Sequence, residues 1–113
     1  MNKHYSIENL REIASGDEDF MSVVAKTFLE EIPPDLQAMD EAIQNDNKEL
    51  AYQFAHKMKP NFEMFGVELQ KDITTIEDWT KTSKNKAAVS INLEKVNRVL
   101  REVFKELKVD FHL

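Results

Sequence analysis

Scarcity of chain breakers constrains this sequence more than any other feature. Two glycines and three prolines are spread through 113 residues, while Leu, Glu, Lys and Ala abound, so the chain has few places where a helix must stop. Short polar stretches mark turns at Ser15-Gly16-Asp17 and Asn45-Asp46-Asn47. The expectation is an all-α chain of helices joined by short turns, forming one domain over residues 1–113.

Apolar spacing places the helices. Ser6 can cap a first short helix over 6–14, with Ile7, Leu10 and Ile13 or Ala14 as its face. A second helix starts at Asp17 or Glu18 and runs to about Glu31. Phe20, Val23, Val24, Thr27 and Phe28 make one stripe there, widened by Met21, Ala25, Leu29 and Ile32. So broad an arc fits a helix touching two neighbours, or one that keeps a docking patch for a partner. Pro33-Pro34 should stop or sharply bend this helix, because neither residue has an amide hydrogen to donate. A third helix then carries Leu36, Met39, Ala42 and Ile43.

The stretch Asp46 to Gly66 is the best punctuated. Asp46 is the N-cap candidate, Glu49 completes a capping box, and Gly66 is suited to the left-handed residue after a helix. Ala51, Phe54, Ala55, Met58, Phe62 and Phe65 share one face, while Tyr52, His56, Lys59 and Glu63 share the opposite one. After Gly66, a helix from Val67 to about Lys81 presents Val67, Leu69, Ile73, Ile76 and Trp79, with Trp79 expected to be partly buried. A polar loop, Thr80 to Lys86, leads to a last helix that begins between Asn85 and Asn92 and ends near Lys108. Its seam is Val89, Leu93, Val96, Leu100, Val103 and Leu107. The architecture expected is an up-down four-helix bundle with additional short N-terminal helices and His56 exposed on a central helix.

The string Ala55-His56-Lys57-Met58-Lys59 through Gly66 resembles the active-site helix of histidine-containing phosphotransfer (HPt) domains. Leu10-x-x-Ile13 before Gly16-Asp17-x-x-Phe20, with the later Phe28, resembles the family's opening, and Ala42-Ile43 through Leu50 with Ala55-His56 is similar to its approach to the histidine. The likeness covers roughly residues 5–80 and fades in the final helix. It implies that His56 is a phosphoryl acceptor through Nε2 and that Lys59 stabilises the phosphoryl group. Pro60 departs from the glycine common after the family's motif lysine, and its ring crowds the His56 carbonyl, which predicts a kink just after the histidine. The register of Leu69, Ile73 and Ile76 is also displaced by about one residue from the family pattern, so no histidine-orienting partner is assigned from that helix.

An exposed neutral imidazole has a nucleophilic nitrogen that can reach into another protein's active site. Lys59, one turn on, can give a charge-assisted hydrogen bond to phosphoryl oxygens, whereas Lys57 points to another side. Glu63 would oppose a phosphoryl group and is expected at the rim. Phosphoryl transfer also needs charge neutralisation, commonly by Mg²⁺. Asp46 and Glu49 lie more than a turn from His56, so the resemblance assigns Mg²⁺, acidic pocket and acceptor aspartate to a response-regulator receiver domain. It further implies a hybrid sensor histidine kinase upstream, a carrier without kinase activity of its own, no cofactor and no resident metal, and a monomer.

Other classes find less in the residues. A net charge of −6 argues against a nucleic-acid surface. No apolar run approaches the roughly 20 residues of a membrane span and the start MNKHYS lacks a signal-peptide core, so a cytoplasmic protein is expected. Zero cysteines excludes disulfides and thiol nucleophiles. No glycine-rich phosphate loop is present. Gln53, not Glu, stands three residues before His56, which breaks the di-iron bundle spacing. His4 and His112 lie near the ends and read as bystanders. The alternative function is a helical adaptor that binds a signalling partner without phosphorylation, for which Pro60 and the bulky Phe62 speak.

Overall fold

The computed structural model describes residues 3–113, with Met1 and Asn2 outside it. Every regular element among the described residues is helical: α1 (Ile7–Ile13), α2 (Glu18–Gln44), α3 (Lys48–Met64), α4 (Gln70–Asp78) and α5 (Ser90–Asp110). Short 3₁₀ turns at Trp79–Lys81 and Lys86–Val89 join α4 to α5. α3 lies between α2 and α4, α5 packs on α4 and on α2, and α1 rests against α2 and α3.

The largest departure from the sequence reading is α2. Pro33 and Pro34 do not end it; one helix of 27 residues runs from Glu18 to Gln44. Each proline removes one donor, to the carbonyls of Leu29 and Glu30, and an interior proline costs about 3 kcal/mol or more in isolation. Against that, Phe28, Ile32, Leu36, Met39 and Ile43 are all buried along one face spanning both prolines. Each such side chain contributes roughly 1.5–3 kcal/mol on burial, so packing outweighs the two lost bonds. The same face corrects the stripe: Met21, Ala25 and Phe28 are buried, whereas Phe20 and Val23 stand 47% and 60% exposed.

Caps set the remaining boundaries. Ser6 caps α1 and Asp17 caps α2, their side chains accepting from the amides of Asn9 and Phe20. At α3 the cap is Asn47, which accepts from the Leu50 amide at 3.2 Å. Asp46 is displaced from that role by its own backbone, at φ +54°, and its carboxylate accepts instead from the Lys86 amide at 2.7 Å. The other end closes as expected. Gly66 sits at φ +62°, its amide donates to Glu63 and that of Val67 to Phe62, which is the paired bonding of a Schellman ending. α3 is unbroken through Pro60, so any bend there leaves the helical run intact. α4 begins at Gln70 and not at Val67, because Val67 and Leu69 form the turn that drops both side chains into the core.

The core is continuous. Ala51, Ala55, Met58, Phe62 and Phe65 of the α3 segment meet α2, with the Phe28 and Phe65 rings 4.2 Å apart. The α5 seam from Val89 to Leu107 is buried throughout. Trp79 is fully buried, not partly; its Nε1 donates to the carbonyls of Lys84 and Asn85, and the Lys48 ammonium lies over its ring. No helix among the described residues is long and apolar enough to cross a membrane.

Candidate functional site

Among the described residues three acidic side chains are buried, and each ties one pair of helices. Asp35 of α2 accepts from Lys57 of α3 at 3.1 Å. Asp72 of α4 accepts from Asn92 and pairs with Lys95, both on α5. Glu77 of α4 reaches back to α3. A buried carboxylate is costly unless its oxygens are paired, so each needs cationic or donor partners from the neighbouring helix. At the first two seams a lysine serves. At the third, one partner is a histidine.

That third seam brings the sequence-predicted residues together. Continuous α-helical geometry sets Tyr52, His56 and Lys59 on the side of α3 that neither α2 nor the core covers. The His56 side chain is 67% exposed. Its Nδ1 lies 2.9 Å from Glu77 Oε2, while the Lys59 ammonium donates to Glu77 Oε1 at 3.0 Å and to Thr74 Oγ1 at 3.2 Å. The Glu77 side chain is only 10% exposed. Both its oxygens are used, one by each residue of the H-x-x-K pair.

This arrangement selects a tautomer. A carboxylate can only accept, so in the neutral ring the bond at Nδ1 places the imidazole proton there and leaves the Nε2 lone pair free. Tyr52, one turn before, stacks on the imidazole with 8° between the planes. Thr80 Oγ1 donates to the Glu77 carbonyl at 2.9 Å and steadies the end of α4 from which the carboxylate projects.

Sequence reasoning placed His56 and Lys59 but assigned neither Glu77 nor Thr74. The available signal was modest. Glu77 follows Ile73 by four residues and adjoins Ile76, so a helical wheel puts it at the edge of α4's buried face. Asp35 and Asp72 likewise adjoin the core residues Leu36 and Ile73. Lys57 points away from the site to Asp35, as expected, and Glu63 is exposed two turns beyond His56. Pro60 is exposed, while Phe62 is buried in the core and takes no part in the site. His4 is bound to Glu106, its ring Nδ1 at 2.6 Å and its backbone amide at 2.7 Å. His112 is exposed at the chain end.

Comparison with family models, with curated proteins and with solved structures finds no match to this chain.

Proposed function

We propose that this chain is a phosphohistidine carrier of a two-component phosphorelay, with α2 to α5 read as an up-down four-helix bundle. It accepts a phosphoryl group on His56 from a receiver-domain aspartate and hands it to another receiver. The observation that carries this reading is an exposed imidazole whose inner nitrogen is held by a buried carboxylate that also holds a lysine. A purely structural ion pair has no need of the open Nε2.

In the proposed step the Nε2 lone pair attacks the phosphorus of an aspartyl phosphate. The N–P bond forms as the P–O bond to the aspartate breaks, and the aspartate leaves as a carboxylate. Nδ1 keeps its proton, so the ring becomes cationic as the bond forms, and Glu77 faces that charge at hydrogen-bonding distance. Lys59, already on the same carboxylate, supplies charge-assisted hydrogen bonds to the phosphoryl oxygens. The same protonated ring is a good leaving group, which suits onward transfer. Mg²⁺ and the acidic pocket belong to the partner receiver in this scheme, a hybrid sensor histidine kinase stands upstream, and the carrier works as a cytoplasmic monomer.

The test is direct. Wild-type protein and His56→Gln are incubated with a phosphorylated receiver domain and Mg²⁺, and any label on the chain is tested for acid lability and alkali stability. Acid-labile, alkali-stable label on the wild type alone is the expected result. Absence of label across a broad panel of receivers favours the phosphorylation-independent adaptor, for which Pro60 beside the site still speaks.

A further inference from the structure

We propose that Tyr52 is a positioning residue for His56, holding the imidazole plane so that Nε2 is presented along one direction. This rests on the carrier reading above and adds to it a residue that the H-x-x-K motif does not contain. The two rings are 5.5 Å apart between centroids and within 8° of parallel. Tyr52 lies one helical turn before His56 on the exposed side of α3, and is itself 38% exposed. Filling the core therefore does not explain this aromatic ring.

Glu77 alone does not define the ring plane. Its bond is made to Nδ1, and Nδ1 is covalently adjacent to Cγ, where the ring joins the side chain. The ring turns about Cβ–Cγ, which moves Nδ1 as well. One hydrogen bond is, however, a single restraint on two side-chain torsions, so a pivot that couples them keeps Nδ1 near Glu77 while it moves Nε2, which lies across the ring. The final torsion of a histidine is a broad, two-fold well that resists such a pivot weakly. A parallel aromatic face resists it directly, because turning the imidazole out of plane separates the rings and loses their contact. Glu77 thus sets which nitrogen is free, and Tyr52 sets where it points. In-line attack on phosphorus depends on that direction, since small misplacements of a nucleophile reduce the rate steeply.

Contact through the ring and not the hydroxyl predicts a pattern among variants. Tyr52→Phe should behave as wild type. Tyr52→Leu, which keeps bulk and suits a helix, should slow phosphoryl transfer about three- to tenfold at saturating receiver, the population effect of one aromatic stack. The apparent KM for the receiver should stay unchanged. Independently of any phosphorylation, the carbon-bound ring protons of His56 should carry an upfield ring-current shift in wild type and Tyr52→Phe that is lost in Tyr52→Leu. Tyr52→Leu transferring at the wild-type rate, slowing transfer only through KM, or leaving the His56 proton shifts unchanged would each overturn the proposal. A wild type that takes no label sinks the carrier reading itself, and the NMR comparison then still reports whether the rings stack.

Discussion

Glu77 divides its two oxygens between a histidine and a lysine, and this division can be tested at the level of single atoms. Glu77→Gln keeps the shape of the side chain but turns half of it into a donor, so the amide can face either nitrogen tautomer of His56. The expected outcome is a mixed tautomer population in ¹⁵N NMR spectra and, on the proposed carrier function, a fall in phosphoryl acceptance of roughly ten- to hundredfold. Lys59 would lose its ionic partner at the same time while keeping Thr74. His56 and Lys59 were legible because they share one helix and a fixed spacing. Glu77 was not, because its partners stand 18 and 21 residues away in sequence, and only the packing of α4 on α3 makes them neighbours.

At the scale of elements, the two glycines have different structural weight. Gly16 and Gly66 both have positive φ, but a Cβ at Gly16 would meet nothing within 4 Å. At Gly66 it would meet Ser6 Cβ at 2.7 Å and Asn9 Nδ2 at 2.8 Å, where α1 crosses the end of α3. Gly16→Ala should therefore cost only the left-handed backbone term, about 1–2 kcal/mol. Gly66→Ala should cost roughly 2–4 kcal/mol, because steric displacement adds to strain. Urea unfolding of the two variants side by side checks the difference. Pro60 offers the opposite case. It is exposed within α3 and leaves the His56 carbonyl without its helical donor. Pro60→Ala should stabilise the chain by roughly 1–2 kcal/mol, the restored helix bond less the entropy returned to the unfolded state. A drop in the urea midpoint for this variant would contradict that account. Helix caps and turns were mostly legible one residue at a time. The length of α2 was not, since proline chemistry says where a bond is lost but not what packing compensates for it.

Across the whole molecule, the residues just before α1 are fastened to the end of α5. Lys3 and Tyr5 both donate to Asp110 near the end of α5, Tyr5 at 2.5 Å. Burial, then the hydrogen bond to Asp110, pushes the Tyr5 phenol well above its usual range. Burial by itself would raise the Asp110 carboxyl, but the hydrogen bonds from Lys3 and Tyr5 and the Lys3 charge outweigh it, and the net direction is down. The carboxyl is ionised more readily folded than unfolded. Its contribution is present above the ordinary carboxylate value of about 4 and is lost as pH falls through the depressed folded value. The phenol's contribution is complete below about pH 10 and is lost as pH rises towards the raised folded value. Asp110→Asn should lower stability near neutrality by roughly 1–3 kcal/mol and flatten the acid limb of the stability profile. Chemical denaturation from pH 3 to 10 measures both effects, and an unchanged acid limb would contradict the assignment. Much of what neighbours within a turn or two set was legible in the chain alone: helix content, most caps, the α5 seam, and the placing of His56 and Lys59 opposite an apolar face. The tertiary structure alone decided the continuity of α2, the burial of Trp79, the fastening of Lys3 and Tyr5 to Asp110 and the pairing of Glu77 with His56. The physical reason is range: spacing along one helix fixes which side chains share a face, whereas a buried carboxylate finds its partners on whichever helix the core brings against it.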